Sequence, residues 1–137
     1  SWAPCAGRVM KGMLETMKAI EIVEPMVTIR SAMKQGDIPA LEALADAMLD
    51  DTAARGIIIC GTGAGVMIAA NRYRHIRASR CDRPSQARDD RFHDDTNVLA
   101  LAADDIDIEV AFLCAQTFLE SPFDAIERRI RRVEKIS

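Results

Sequence analysis

Apolar residues follow two rhythms along this chain, and the two alternate. Val9, Met10, Met13, Leu14, Met17 and Ile20 recur at three- and four-residue intervals, which predicts an amphipathic helix after a loop over residues 1–7. Its methionines read as adaptable core filler. The turn residues Gly36-Asp37-Ile38-Pro39 open a second helix, with Leu41, Leu44, Ala45, Met48 and Leu49 on one face. Between later helical stretches lie short, nearly continuous apolar runs: Gly56 to Cys60, Ile76 to Cys81 and Asn97 to Ala102. Such runs suit strands covered on both faces. Val23 to Ile29 is β-branched enough for a further strand, though Pro25 puts it at an edge or delays its start.

The remaining helices follow from the same pattern. One runs from Val66 to about Arg74, and one to about His93 after Asp82-Arg83-Pro84, with the acidic residue as cap and proline in the first turn. Another carries Val110, Ala111, Leu113, Cys114, Phe118 and Leu119 and stops at Ser121-Pro122. A last helix from about Asp124 sets Ile126, Ile130 and Val133 on one side and Arg128, Arg129, Arg131 and Arg132 on the other. Strands alternating with helices predict βαβ units and an α/β fold: three layers around a doubly wound, mostly parallel, Rossmann-like sheet. With 137 residues in all, the expectation is a single domain over 1–137.

Composition narrows the classes. Apolar residues make up 49% and charged residues 28% of the chain, as in soluble globular proteins. A net charge of −3 argues against nucleic-acid binding by bulk charge. Cys5, Cys60, Cys81 and Cys114 are widely spaced and read as reduced thiols rather than a disulfide frame or zinc site. No apolar run approaches the ~20 residues of a membrane span, and no signal peptide opens the chain. The expected location is the cytoplasm.

Chemistry concentrates in Gly56-Ile-Ile-Ile-Cys-Gly-Thr-Gly-Ala-Gly65. Glycines on alternate positions let a backbone turn tightly and approach a bound group, with amides aimed inward at a helix start. The loop lacks the Lys-Ser/Thr pair of a Walker loop and begins with a thiol instead of glycine. Cys60, at the tip of a strand, is a candidate base or nucleophile. Thr62 is either a loop hydroxyl bonded to its own backbone or a proton donor beside the thiol. His93 stands at a helix end, where it either caps or serves the site. Arg128 and Arg132 are four apart and form either a phosphate clamp or a solvated basic face. Asp94-Asp95 has no third ligand at metal-site spacing and reads as a turn. No metal or cofactor is expected.

Several of these pieces, in this order, resemble the ribose-5-phosphate isomerase B family, which includes the galactose-6-phosphate isomerase subunits. The similarity runs from about Asp37 to the C-terminus and rests on the glycine-loop stretch, Ile68-Ala-Ala-Asn71, Ile76-Arg77-Ala78, His93 with Asp95, Asn97-Val-Leu-Ala-Leu101 and Arg128 to Val133. It implies an aldose–ketose isomerase, without metal or cofactor, acting on a small sugar phosphate through a cis-enediolate. In that reading Cys60 moves a proton between C1 and C2, and Thr62 assists at the oxygens. Amides of Gly61, Thr62, Gly63, Ala64 and Gly65 hold the enediolate. His93 opens the ring, Asp94 occupies a substrate-binding position, and Arg128 and Arg132 take the phosphate. The resemblance also implies a homodimer or tetramer whose site is shared between subunits.

The chain departs from the family pattern in places. Pro4-Cys5-Ala6-Gly7 is the best match to an Asp-His-Ala-Gly loop, with no strand before it, so the family's first strand is expected to be missing. Ile38 replaces a tyrosine, Asp94 an asparagine, and Asp104 a residue that is basic in many members. These changes leave the proposed base and remove much of what reads the substrate. Two other readings therefore stand beside the isomerase: a non-catalytic partner subunit of an active isomerase, and a sugar-phosphate sensor.

Overall fold

The computed structural model describes residues 2–23, 26–28, 35–51 and 54–137. Three strands, β1 (Gly56–Cys60), β2 (Ala78–Arg80) and β3 (Val98–Ala102), form one parallel sheet in the order β1-β3-β2. β3 is central, and all five of its residues are buried, as its unbroken run of Val, Leu and Ala predicts. Gly56 to Cys60 pair in register with Val98 to Ala102, and Ala78 to Arg80 with Val98 to Ala100. Among the described residues no strand lies on the outer edge of β1.

Six helices complete the fold: α1 (Ala6–Leu14), α2 (Ile38–Asp50), α3 (Ala64–Ala70), α4 (Pro84–Asp94), α5 (Ile108–Glu120) and α6 (Glu127–Ile136). The crossover from β1 past β3 to β2 runs through α3, and the return from β2 to β3 runs through α4. Right-handed crossovers in opposite directions place those helices on opposite faces of the sheet. The core follows that division. Leu99 and Leu101 cluster with Met10 and Leu14 of α1, Ala87 of α4, and Cys114 and Phe118 of α5. The predicted three-layer, doubly wound architecture is present, as a short sheet with every strand parallel.

Element boundaries differ from the pattern where side chains compete with the backbone. α1 stops at Leu14, short of Ile20, because Thr16 Oγ1 donates to Met13 O at 2.7 Å and Met17 N to Leu14 O at 2.9 Å, which turns the chain away. Its first turn begins at Ala6, after a 3₁₀ turn over Ala3–Cys5, inside the stretch expected to be loop. β2 begins at Ala78 rather than Ile76. Arg77 N donates instead to the side chain of Asn97 (2.7 Å), whose amide donates to His75 O (2.8 Å). Asn71 closes the outer edge with a two-way bond to the backbone of Ala78, at 2.8 and 2.9 Å.

Asp82 does not cap α4. The capping position is Arg83, without a side-chain cap bond, and Asp82 accepts from Arg83 at 3.0 Å; Pro84 alone marks the start. The last helix begins at Glu127, three residues later than predicted. Of the stretch Val23 to Ile29, residues 23 and 26–28 carry no strand, and the others lie outside the described residues.

Candidate active site

β1 delivers Cys60 to the carboxyl edge of the sheet, where ligands of parallel sheets bind. Backbone bonds then fold the following loop back over the end of β3: Ala103 N donates to Cys60 O at 2.9 Å and Asp104 N to Gly61 O at 3.0 Å. At Gly63 the chain takes φ +74°, a left-handed conformation that favours glycine. This turn directs the Gly63 N–H onto Cys60 Sγ at 3.1 Å. Thr62, Ala64 and Gly65 are exposed beside it.

The three glycines do different things. Gly63 supplies the positive φ. At Gly61 an added Cβ would meet Asp104 Oδ2 at 2.5 Å, so glycine there makes room for a carboxylate. At Gly65 an added Cβ would meet nothing within 4 Å, and within one chain no steric reason requires glycine there. Asp104 itself is exposed, and among the described residues its carboxylate has no ion pair. Arg80, at the end of β2, reaches across to donate from Nε to Thr62 O at 2.8 Å and forms an ion pair with Asp105.

The second group of candidates lies elsewhere. α4 runs antiparallel to the strands, so His93 and Asp94 emerge near the amino end of β3. Cys60, paired with Ala102, sits at the other end, about 13 Å away along a strand of this length. α6 docks against α4 and brings Arg132 to Asp94 Oδ1 at 2.7 Å and to His93 O at 2.5 Å. The His93 ring packs edge-on against Phe92, with centroids 5.2 Å apart. Arg128 is exposed one turn earlier on α6 and, among the described residues, makes no ion pair. Beside this group opens a cavity of about 440 Å³, lined in part by Asn71, Tyr73, Arg77, Ser79, Asp94 and Thr96.

Asp95, read from the sequence as half of a turn, organises this end of the molecule. It ends α4 at φ 52°, and its carboxylate is held by Arg77 at 2.7 Å and by the buried Arg91. Burial, followed by the charge of Arg91, lowers the pKa of nearby Arg55. Arg129 is not on a solvated basic face. It is ion-paired with Asp124, and its guanidinium lies 4.9 Å from the Phe92 ring centre. No spacing signal distinguishes Arg129 from its neighbours. Arg80 and Asp105 also escaped the sequence reading, because each is ordinary in its own segment.

All four cysteines are free. Burial raises the pKa of Cys81, with Asp90 adding to the effect, and burial pushes Cys114 up to about 11, with Asp82 contributing. Both therefore stay protonated core residues at neutral pH. Cys5 and Cys60 are partly exposed, and Cys60 is the one in the glycine loop.

Fold and loop together define the class: an α/β protein with a thiol and preorganised amides at the carboxyl edge of a parallel sheet. Comparison with known proteins makes the family specific. A model of the Ribose/Galactose Isomerase family matches residues 13–136, and the chain belongs to that family. It is 42% identical over 82 residues to ribose-5-phosphate isomerase B of Escherichia coli, covering 60% of this chain and 54% of that protein. It is 37% identical over 81 residues to D-erythrulose-4-phosphate isomerase of Pectobacterium atrosepticum, covering 59% and 53%. The matched stretch thus spans about half the length of these relatives. The crystal structure of a ribose 5-phosphate isomerase from Thermotoga maritima superimposes with a TM-score of 0.82 at 37% identity, covering 98% of this chain and 90% of that one.

Proposed function

We propose that the chain is an aldose–ketose isomerase for a small sugar phosphate, ribose 5-phosphate/ribulose 5-phosphate or a related pair, working through a cis-enediolate. The observation that carries this is the Gly63 N–H on Cys60 Sγ at 3.1 Å, inside a glycine loop at the ligand-binding edge of the sheet. The amide holds the sulfur in one orientation, turned into the loop. Cys60 then takes the proton from C2 of the open-chain aldose and returns it to C1, while the Thr62 hydroxyl passes a proton from O2 to O1. Amides from Gly61 to Gly65 face the enediolate, where charge develops. His93 assists ring opening, Asp94 binds a sugar hydroxyl, and Arg128 and Arg132 hold the phosphate. These assignments need neither metal nor cofactor.

Within one chain the two halves stand at opposite ends of β3. The proposal therefore requires at least a homodimer, with His93, Asp94, Arg128 and Arg132 of one copy facing Cys60 of another. Residues 1–137 act as one domain, in keeping with the single core among the described residues. Four free cysteines suit the cytoplasm, and among the described residues no helix is long and apolar enough to cross a membrane.

The test is solvent-deuterium exchange followed by NMR across four- to six-carbon aldose and ketose phosphates. The native chain exchanges the C1 or C2 hydrogen of one such pair, and Cys60→Ala, which removes the base and leaves the fold intact, does not. Exchange that survives in Cys60→Ala would falsify the assignment. The free Asp104 carboxylate at the loop favours a second reading, a non-catalytic partner subunit. A folded protein that exchanges no sugar alone, and gains exchange on pairing with another family member, establishes that reading instead.

A further inference from the structure

A peptide unit is planar and trans, so its carbonyl and its N–H point in opposite directions and turn together. The unit joining Thr62 to Gly63 is gripped at both ends. Its oxygen accepts from Arg80 Nε at 2.8 Å, and its N–H donates to Cys60 Sγ at 3.1 Å. Arg80 is placed for this by sheet order. It ends β2, paired with Ala100 of the central strand, and its side chain crosses the end of that strand to the loop after β1. An added Cβ at Gly63 would meet Arg80 Cγ and Cδ at 3.3 Å and Ala102 N at 3.4 Å, so the arginine stem lies close along the turn. Asp105 fixes the far side of the guanidinium.

We infer that Arg80, held by Asp105, is a positioning residue for the Cys60 thiol, acting through the Thr62–Gly63 peptide. Two physical effects run the same way. The grip on the carbonyl holds the peptide in the one orientation that aims its N–H at sulfur, at a glycine where the backbone has alternatives. A cation on the carbonyl also polarises the amide, which strengthens its N–H as a donor. Both tighten the hold of the loop on the sulfur. The charged groups around this arrangement are Arg80 from β2 and Asp104 and Asp105 from the segment after β3, and Asp105 is engaged with Arg80. Arginine suits the task because its planar fork serves the carbonyl and the carboxylate at once, in fixed directions. Arg80 reaches Cys60 only through this peptide.

The inference rests on the proposed role of Cys60, and its test needs no substrate. The rate of iodoacetamide alkylation at Cys60, followed by peptide mass spectrometry, is measured against pH for the native chain, Arg80→Met, Arg80→Lys and Asp105→Asn. Thermal unfolding of each variant is recorded alongside. Arg80→Met is expected to lower the rate of Cys60 alkylation at neutral pH by about tenfold. Arg80→Lys restores part of that rate, and Asp105→Asn produces a smaller fall. A folded Arg80→Met protein with the native Cys60 profile overturns the inference, whatever the isomerase assay shows. An altered profile without turnover in any protein leaves the arginine's role standing and removes the isomerase reading.

Discussion

Gly63 shows how much a single position carries in this site. Its φ of +74° costs a side-chain-bearing residue about 1–2 kcal/mol, and the Arg80 stem leaves no slack for a methyl group. Gly63→Ala is therefore expected to lower stability by about that amount, read from the urea midpoint, and to slow isomerisation by turning the amide away from Cys60. Gly65→Ala, which meets open space in the single chain within α3, raises the urea midpoint slightly, because alanine has less backbone freedom to lose on folding. The sequence marks both glycines equally. What separates them is backbone conformation and the neighbours that tertiary contact brings, and neither is written in spacing.

Among the elements, the strands were the most legible and their ends the least. Val98 to Ala102 announce a buried strand because burial on both faces demands apolar residues at every position, whereas Ile57 to Ile59, with the same pattern, are only half-buried at the edge of the sheet. The start of β2 was misplaced because Ile76 and Arg77 look like strand, whereas Asn97 and Asn71 supply bonds that a neighbouring strand would otherwise give. Asn97 is almost fully buried and joins His75 O to Arg77 N. Asn97→Ala strands both backbone groups, at a cost of about 1–3 kcal/mol, measured by chemical denaturation. A loss well under that range would mean water replaces the amide. The helical pattern sets Arg129 with Arg128, Arg131 and Arg132 on the face opposite Ile126, Ile130 and Val133. Phe92 of α4, and Asp124 just ahead of α6, draw Arg129 out of that face.

For the molecule as an assembly, the decisive fact is the distance between the two sets of candidate groups. A site divided between subunits predicts complementation. Cys60→Ala and His93→Ala, each inactive alone, should recover activity when refolded together, up to about a quarter of the native sites if a dimer assorts at random. Recovery follows because half of the mixed dimers' sites draw an intact Cys60 from one copy and an intact His93 from the other. A site confined to one chain gives no recovery at any mixing ratio. The same experiment bears on the acidic rim at Asp104, since mixing with another family member shows whether a different chain completes the site better than a second copy does.

The α/β class, the glycine loop and the candidacy of Cys60 could all be read from the chain alone. They depend on apolar periodicity and on a thiol beside glycines, and both are properties of neighbouring residues. The family resemblance extended that reading through motifs kept in order. The division of the candidates between opposite ends of the sheet, the Asp95 cluster and the grip of Arg80 on the loop belong to tertiary structure. Each follows from strand order β1-β3-β2 and from the antiparallel run of α4. That order brings β2 and β1 to either side of β3, so an arginine 18 residues beyond Thr62 can hold the peptide that faces the thiol, a contact no local pattern records.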